Sequence, residues 1–242
     1  MTACASVQAS VTIVVDDFSS FNDTGNLLGG GNTREQNFVT TTGPGTNTIT
    51  ITNASGAGAG QAALLSDSFS LVNVGDRVST MFGTPNFGSP TSTSSSFGLA
   101  LTSSEAITTR ENALFFYWRR NTGGTGSQLA YISLDGAGTT ISTSSAITFN
   151  SLTFTPDGIF IERTATGYDL GWIQGANEGI AYSLASTTQV TADGTAVGLY
   201  SDGRNDNFQY VMNNFSVTLV PEPSTAVLFG IGLLALLNRR RA

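Results

Sequence analysis

The chain has 242 residues, with ten basic and seventeen acidic side chains and no histidine; every base is arginine, and there is one cysteine, Cys4. This composition excludes an intramolecular disulfide framework, a Cys-based zinc site, His-dependent triads and His-ligated metals, and any lysine-dependent chemistry. Before Pro221 there are seven arginines against sixteen carboxylates, a net charge of −9, which disfavours nucleic acid or an anionic membrane face as partner of the body.

Residues 1–10, M-T-A-C-A-S-V-Q-A-S, resemble the end of a secretory signal peptide whose basic and apolar parts would lie upstream, with cleavage near Ala9 at the A-x-A-like step Val7-Gln8-Ala9. Met1-Thr2-Ala3-Cys4 also fits a lipobox loosely, a lipoprotein alternative made redundant by the anchor at the other end.

From Val11 the chain runs in short apolar stretches of period two, separated by turn residues, with almost no helical spacing. Val11, Ile13 and Val15 alternate with polar residues, as do Ile49 and Ile51, and Leu114, Phe116 and Trp118 share one face. Further strands are expected at Ser70–Val74, Val78–Phe82, Phe97–Leu101, Leu129–Leu134, Ile147–Phe154, Ile159–Arg163, Tyr168–Ile173, Val197–Tyr200 and Phe208–Leu219. Turns fall at Gly43-Pro44-Gly45, Asn73 to Asp76, Asp135-Gly136, Pro156-Asp157-Gly158 and Ser201-Asp202-Gly203, and Thr84 to Ser96 reads as a surface loop. About a dozen short strands without an internal linker predict one all-β, two-sheet antiparallel sandwich over residues 11–219.

The order of segments, D-D-F-S from Asp16, F-F-Y-W-R-R and Y-I-S-L-D-G in the centre, I-F-I-E-R-x-x-x-G-Y-D-L, then V-G-L-Y-S-D-G and N-N-F-S-V, resembles the concanavalin A-like lectin/glucanase jelly roll, especially its LamG-like and 3-keto-disaccharide-hydrolase-like branches. The resemblance spans Val11 to Leu219 and implies that the first and last strands are neighbours. Val211-Met212-Asn213-Asn214-Phe215 departs from that family's usual Asp before Asn-Phe.

The glucanase members of that superfamily carry their carboxylates as E-x-D-x-x-E, and no such spacing occurs here: Glu105, Glu111, Glu162 and Glu178 stand apart in sequence, with Glu162 beside Arg163 on an expected solvent-facing hairpin arm. The expectation is therefore a non-catalytic protein, not an enzyme; the alternative is a carbohydrate-active enzyme of glycoside-hydrolase type on the same fold. For glycan contact the aromatic candidates are Trp172 and Tyr200, whereas Trp118, on a face with Leu114 and Phe116, reads as core; Tyr131 is a further aromatic of this set. No cofactor is expected. Calcium is the one ion the composition admits, through Asp202, Asn205 and Asp206 or through Asp16/Asp17 with Asn213/Asn214, against the plainer readings of an Asx-rich turn and strand-end polarity.

The C-terminus reads V-P-E-P-S, then thirteen residues from Thr225 to Leu237 without a charge, then Arg239-Arg240-Arg241. As a helix the apolar run would measure roughly 20 Å, short of the ~30 Å hydrocarbon core, and the arginines would hold the terminus on the cytoplasmic side. The three parts in this order resemble a PEP-CTERM sorting signal over residues 220–242. That resemblance implies recognition at Pro221, Glu222 and Pro223 by an exosortase-type membrane protease, a short hydrophobic helix as transient inner-membrane segment, and stop-transfer at Arg239, Arg240 and Arg241. It further implies an exported protein at the surface or in the matrix of a Gram-negative bacterium, with extracellular polysaccharide as the expected partner.

Overall fold

Alternation of apolar and polar residues makes each strand a two-faced element, and two such sheets bury their inner faces against one another. The computed structural model describes residues 10–15, 18–23, 27, 36–43, 46–53, 61–82, 96–107, 110–120, 127–144, 147–148, 156–186, 188–202 and 208–221. In chain order the strands are β1 (Val11–Val14), β2 (Asn22–Asp23), β3 (Gln36–Gly43), β4 (Thr46–Asn53), β5 (Gln61–Ser66), β6 (Arg77–Phe82), β7 (Ser96–Thr102), β8 (Ala113–Arg120), β9 (Ser127–Leu134), β10 (Thr140–Thr143), β11 (Ile147–Thr148), β12 (Gly158–Arg163), β13 (Gly167–Gln174), β14 (Asn177–Ala185), β15 (Ala196–Asp202) and β16 (Phe208–Leu219).

One sheet, here sheet A, has the order β14-β13-β12-β6-β16-β4-β3, with β1 also paired to β16; sheet B has β10-β9-β8-β7-β15-β5-β2, with β11 on β9. From β4 to β7 the chain changes sheet at every strand. The last two strands then fill the gaps: β15 lies between β5 and β7, and β16 between β4 and β6. All pairings are antiparallel among the described residues, and the first strand pairs the last, Val11 opposite Leu219 and Val14 opposite Ser216. This is the two-sheet jelly roll expected from the segment order.

Between the sheets lies a core that includes Leu64, Val78, Leu99, Phe116, Ile159, Leu170, Val197 and Val217. Trp118, 5% exposed, belongs to it, stacked on Phe82 at 4.8 Å with Phe97 edge-on at 5.3 Å, as its shared face with Leu114 and Phe116 predicts. A second buried cluster, with Leu27, Ala63, Leu65, Ala100, Phe115 and Tyr200, covers the other face of sheet B. That sheet is consequently apolar on both faces, so β5, Gln-Ala-Ala-Leu-Leu-Ser, shows no alternation and is invisible to a period-two search.

The asparagines of β16 have a structural role. The register shifts between Asn213 and Ser216, and Asn214 takes a left-handed conformation, φ 51°, which asparagine tolerates better than most residues. The bulge resets the alternation, so that Met212 before it and Phe215 and Val217 after it all reach the core. Asn47 Nδ2 and the Val15 amide both donate to the Phe215 carbonyl, at 2.6 and 3.1 Å, tying the bulge to the neighbouring chain.

Two sequence expectations change. Ser70–Val74 is not a strand: Val72 and Val74 are 62% and 60% exposed, and the Asp76 carboxylate bends the backbone by accepting from the amides of Val72 (2.9 Å) and Asn73 (2.7 Å). Ser201 and Asp202 are the end of β15 rather than a turn, because Asp202 pairs with both Gln61 and Ser96. The strand at Ile147 is described for Ile147–Thr148 alone; residues 149–155, like 84–95 of the expected loop, lie outside the described residues, and Ser96, expected as the end of that loop, begins β7.

Candidate functional site

Polar residues that are far apart in sequence line up on the outer face of sheet B. Register places Gln61 opposite Asp202, Asp202 opposite Ser96, Ser96 opposite Arg119 and Arg119 opposite Gln128, one residue from each of five adjacent strands. Each shares the parity of its strand's residues in the outer apolar cluster. Gln61 Nε2 donates to the Tyr200 hydroxyl at 2.7 Å and to Asp202 Oδ2 at 2.9 Å, and Arg119 Nε donates to Gln128 Oε1 at 3.2 Å. Gln61, Asp202, Ser96 and Gln128 are buried; Arg119 and neighbouring Tyr117 are half-buried and form the accessible end of the row. Gln61 Oε1 is a buried acceptor with no donor among the described residues. Such a row combines acceptors, amide donors and a guanidinium beside aromatic rings, the chemistry that recognises hydroxyl groups.

The sequence candidates distribute unevenly around it. Tyr200 belongs to the site but is not the open platform expected of a glycan contact: it is 1% exposed, its ring stacks on Phe115 at 4.3 Å and tilts against Tyr117 at 5.6 Å, and its hydroxyl is held by Gln61. Trp172 sits on the other sheet, half-buried against the inner core with its indole over Gly179. Tyr131 is buried, its hydroxyl 2.8 Å from Ser142 Oγ and its ring edge-on to Tyr182. Of the calcium candidates, Asp202 is 3% exposed and engaged by Gln61, while Asn205 and Asp206 lie outside the described residues. Pairing of β1 with β16 brings the chain just before Asp16 to the asparagine bulge, but Asp16 and Asp17 are likewise outside. Among the described residues no three Asp, Glu, Cys or His side chains cluster as metal ligands.

Glu162 and Glu178, which stand apart in sequence, meet at Arg77 on the outer face of sheet A. Arg77 makes a two-pronged pair with Glu178, both N–H···O distances 2.7 Å, lies 3.8 Å from Glu162, and has its guanidinium 3.7 Å above the Phe160 ring centre. The hydrogen bonds from Arg77 lower the Glu178 pKa against partial desolvation, whereas desolvation raises that of Glu162, with Arg77 opposing and Asp169 and Glu178 adding to the rise. Nothing in the sequence spacing shows this trio, since register alone joins strands β6, β12 and β14.

Pro221, exposed, is the last described residue; Glu222, Pro223 and Arg239–Arg241 lie beyond. No helix among the described residues is long and apolar enough to cross a membrane, and the Thr225–Leu237 run is not among them.

In its sheet order the body has a concanavalin A-like fold. It is similar to a legume lectin-like domain from Entamoeba histolytica, at 6% identity over 77% of this chain and 88% of that one, TM-score 0.54. It is also similar to winged bean acidic lectin complexed with methyl-alpha-D-galactose, at 9% identity over 87% and 98%, TM-score 0.51. A Bacteroides ovatus xyloglucan PUL GH43B aligns at a TM-score of 0.42 and 11% identity over 84% and 39%, too low to carry an argument. At such identities the likeness establishes the fold alone. No curated protein matches the chain. Residues 219–241 match the PEP-CTERM protein-sorting motif, so the chain carries the C-terminal sorting signal of an exported protein.

Proposed function

We propose that this is an exported, non-catalytic glycan-binding module that an exosortase-type protease releases from the inner membrane of a Gram-negative bacterium, to act at the cell surface or in its extracellular polysaccharide. The matched sorting motif supports the route. The reading of the body rests on one observation: the polar row of sheet B, accessible at Tyr117 and Arg119, on a fold that lectins share. The ligand is a neutral polysaccharide, because a body of net charge −9 repels polyanions. Calcium at Asp202, Asn205 and Asp206 belongs to this proposal as an accessory ion.

The experiment is affinity electrophoresis of the domain through gels of neutral polysaccharides, with and without chelator, and an assay of the same glycans for new reducing ends. Retardation without new ends is expected, weakened about tenfold by Arg119→Ala through loss of a charge-assisted contact. Retardation by no neutral glycan would overturn the binding reading.

One observation favours the enzyme as second reading: Glu162 and Glu178 have pKa values driven in opposite directions, as an acid/base pair requires. Both Glu178 oxygens are, however, engaged by Arg77. New reducing ends that vanish in Glu162→Gln would establish the enzyme instead.

A further inference from the structure

The body ends in a grip on its own tail. At Val220, one residue before Pro-Glu-Pro, the amide donates to Asp76 Oδ1 at 2.8 Å, and the carbonyl accepts from Asn73 Nδ2 at 3.3 Å. The Val220 side chain seats against Gly75, whose φ of 91° suits glycine and where an added Cβ would come within 3.0 Å of Val220 Cγ2. Asp76 is 1% exposed, and its other oxygen shapes the same loop through Val72 and Asn73.

The loop is itself fastened to the frame. The Leu71 amide donates to the Gly194 carbonyl at 2.9 Å, the Gly75 amide to the Arg163 carbonyl at 2.8 Å, and the Arg163 amide to the Asp76 carbonyl at 2.8 Å. Val220 is thus held by a fixed part of the sandwich, immediately after a strand bonded to β1 and β6. A loose tether would have left these backbone groups to water.

We propose that Asp76, with Asn73, is a positioning residue for tail removal: it clips Val220 to the folded body, so that the Pro-Glu-Pro sequence begins one residue beyond a fixed point, and it confines cleavage to the C-terminal side of Val220. Five residue steps separate Val220 from Thr225, the start of the apolar run, so at most about 17 Å of extended chain lies between clip and membrane segment. The loop that bears the exposed Val72 and Val74 also holds Val220, and so lies at the body end of that short connection. A protease that binds Pro-Glu-Pro as an extended strand meets it always in the same register, because the flanking backbone upstream is already bonded. Chain N-terminal to the clip is protected as sheet.

This role rests on the sorting reading, and the test separates the two. The full chain is expressed in a host with the exosortase-type protease, and mature C-termini and processing rates are read by intact mass and pulse-chase. Variants are Asn73→Ala, Asp76→Ala and a six-residue Gly/Ser insertion between Val220 and Pro221, which leaves the clip and the fold untouched. Wild type should yield mature chains that all retain Val220. The insertion and Asp76→Ala should slow processing at least about tenfold, within the roughly hundredfold that a misplaced substrate can cost, and Asp76→Ala should give ragged ends; Asn73→Ala should be intermediate. Melting temperatures identify any variant that merely unfolds, and the insertion carries the conclusion if Asp76→Ala does. Processing of the insertion variant at the wild-type rate, mature chains ending before Val220, or rapid hydrogen exchange at the wild-type Val220 amide would overturn the clip's role. Retention of the tail by wild type in the presence of the protease would overturn the sorting reading itself, and this role with it.

Discussion

At the scale of single residues, what is absent from a side chain matters as much as what is present. Gly171 of β13 lies opposite Phe160 of β12, and a Cβ there would overlap the Phe160 ring and crowd the Gly179 carbonyl. The glycine makes room for the ring, the ring carries the Arg77 guanidinium, and Arg77 holds Glu178. Gly171→Ala therefore strains the sheet and displaces the stack, at a cost of about 1–3 kcal/mol. Thermal unfolding should show a fall of several degrees, at about 2–4 °C per kcal/mol for a domain of this size. An unchanged melting temperature would mean that the ring moves aside without cost. The sequence shows the glycine but not its neighbour, since pairing of Phe160 with Gly171 depends on the hairpin register.

At the scale of strands, the Arg77 trio couples β6, β12 and β14 to pH. Glu178 has a folded pKa below its ordinary 4.5, so between that lowered value and 4.5 the unfolded chain binds more protons and stability rises with pH. Glu162 has a folded pKa above 4.5, so from 4.5 up to that raised value the native chain binds more protons and stability falls with pH. The two limbs oppose each other. Relative to wild type, Glu178→Gln should lose the rising limb below pH 4.5, and Glu162→Gln the falling limb above it, as denaturant midpoints against pH. Both side chains are well exposed to solvent, at 45% and 37%, so screening keeps the effects small and low salt is the condition in which to measure them. Parallel curves for wild type and Glu162→Gln would mean that Glu162 is hydrated like any surface carboxylate.

At the scale of the whole molecule, the order of strands decides when folding can finish. β15 and β16 are the middle strands that join both halves of their sheets, and they come last in the chain. A chain ending at residue 207 lacks β16; β1 then loses its partner, and β4 is parted from β6. Such a chain should lack near-ultraviolet dichroism and bind hydrophobic dyes, whereas one ending at Pro221 keeps every described strand, and the clip, and should melt like the full-length body. A native-like melt for the shorter chain would show that the two sheet halves hold together through the core alone. Pairings so distant in sequence also predict slow folding, in the range of milliseconds to seconds or beyond. The sandwich can therefore complete itself only once the chain through Leu219 is available.

Local signals were legible in the sequence alone because their physics is local. Alternation marks β6, β13 and β16, since a half-buried strand writes its two faces into consecutive residues, and the tail is read from linear order, since the matched sorting motif is a run of consecutive residues. The core position of Trp118 followed from its strand face for the same reason. The double-sided burial of β5, the five-strand row from Gln61 to Gln128, the enclosure of Tyr200, the meeting of Glu162 and Glu178 at Arg77, and the grip of Asp76 on Val220 were decided only by tertiary structure. Each depends on strand register or on the docking of segments up to 144 positions apart, and antiparallel pairing lets distant residues meet without leaving any period or spacing in the sequence between them.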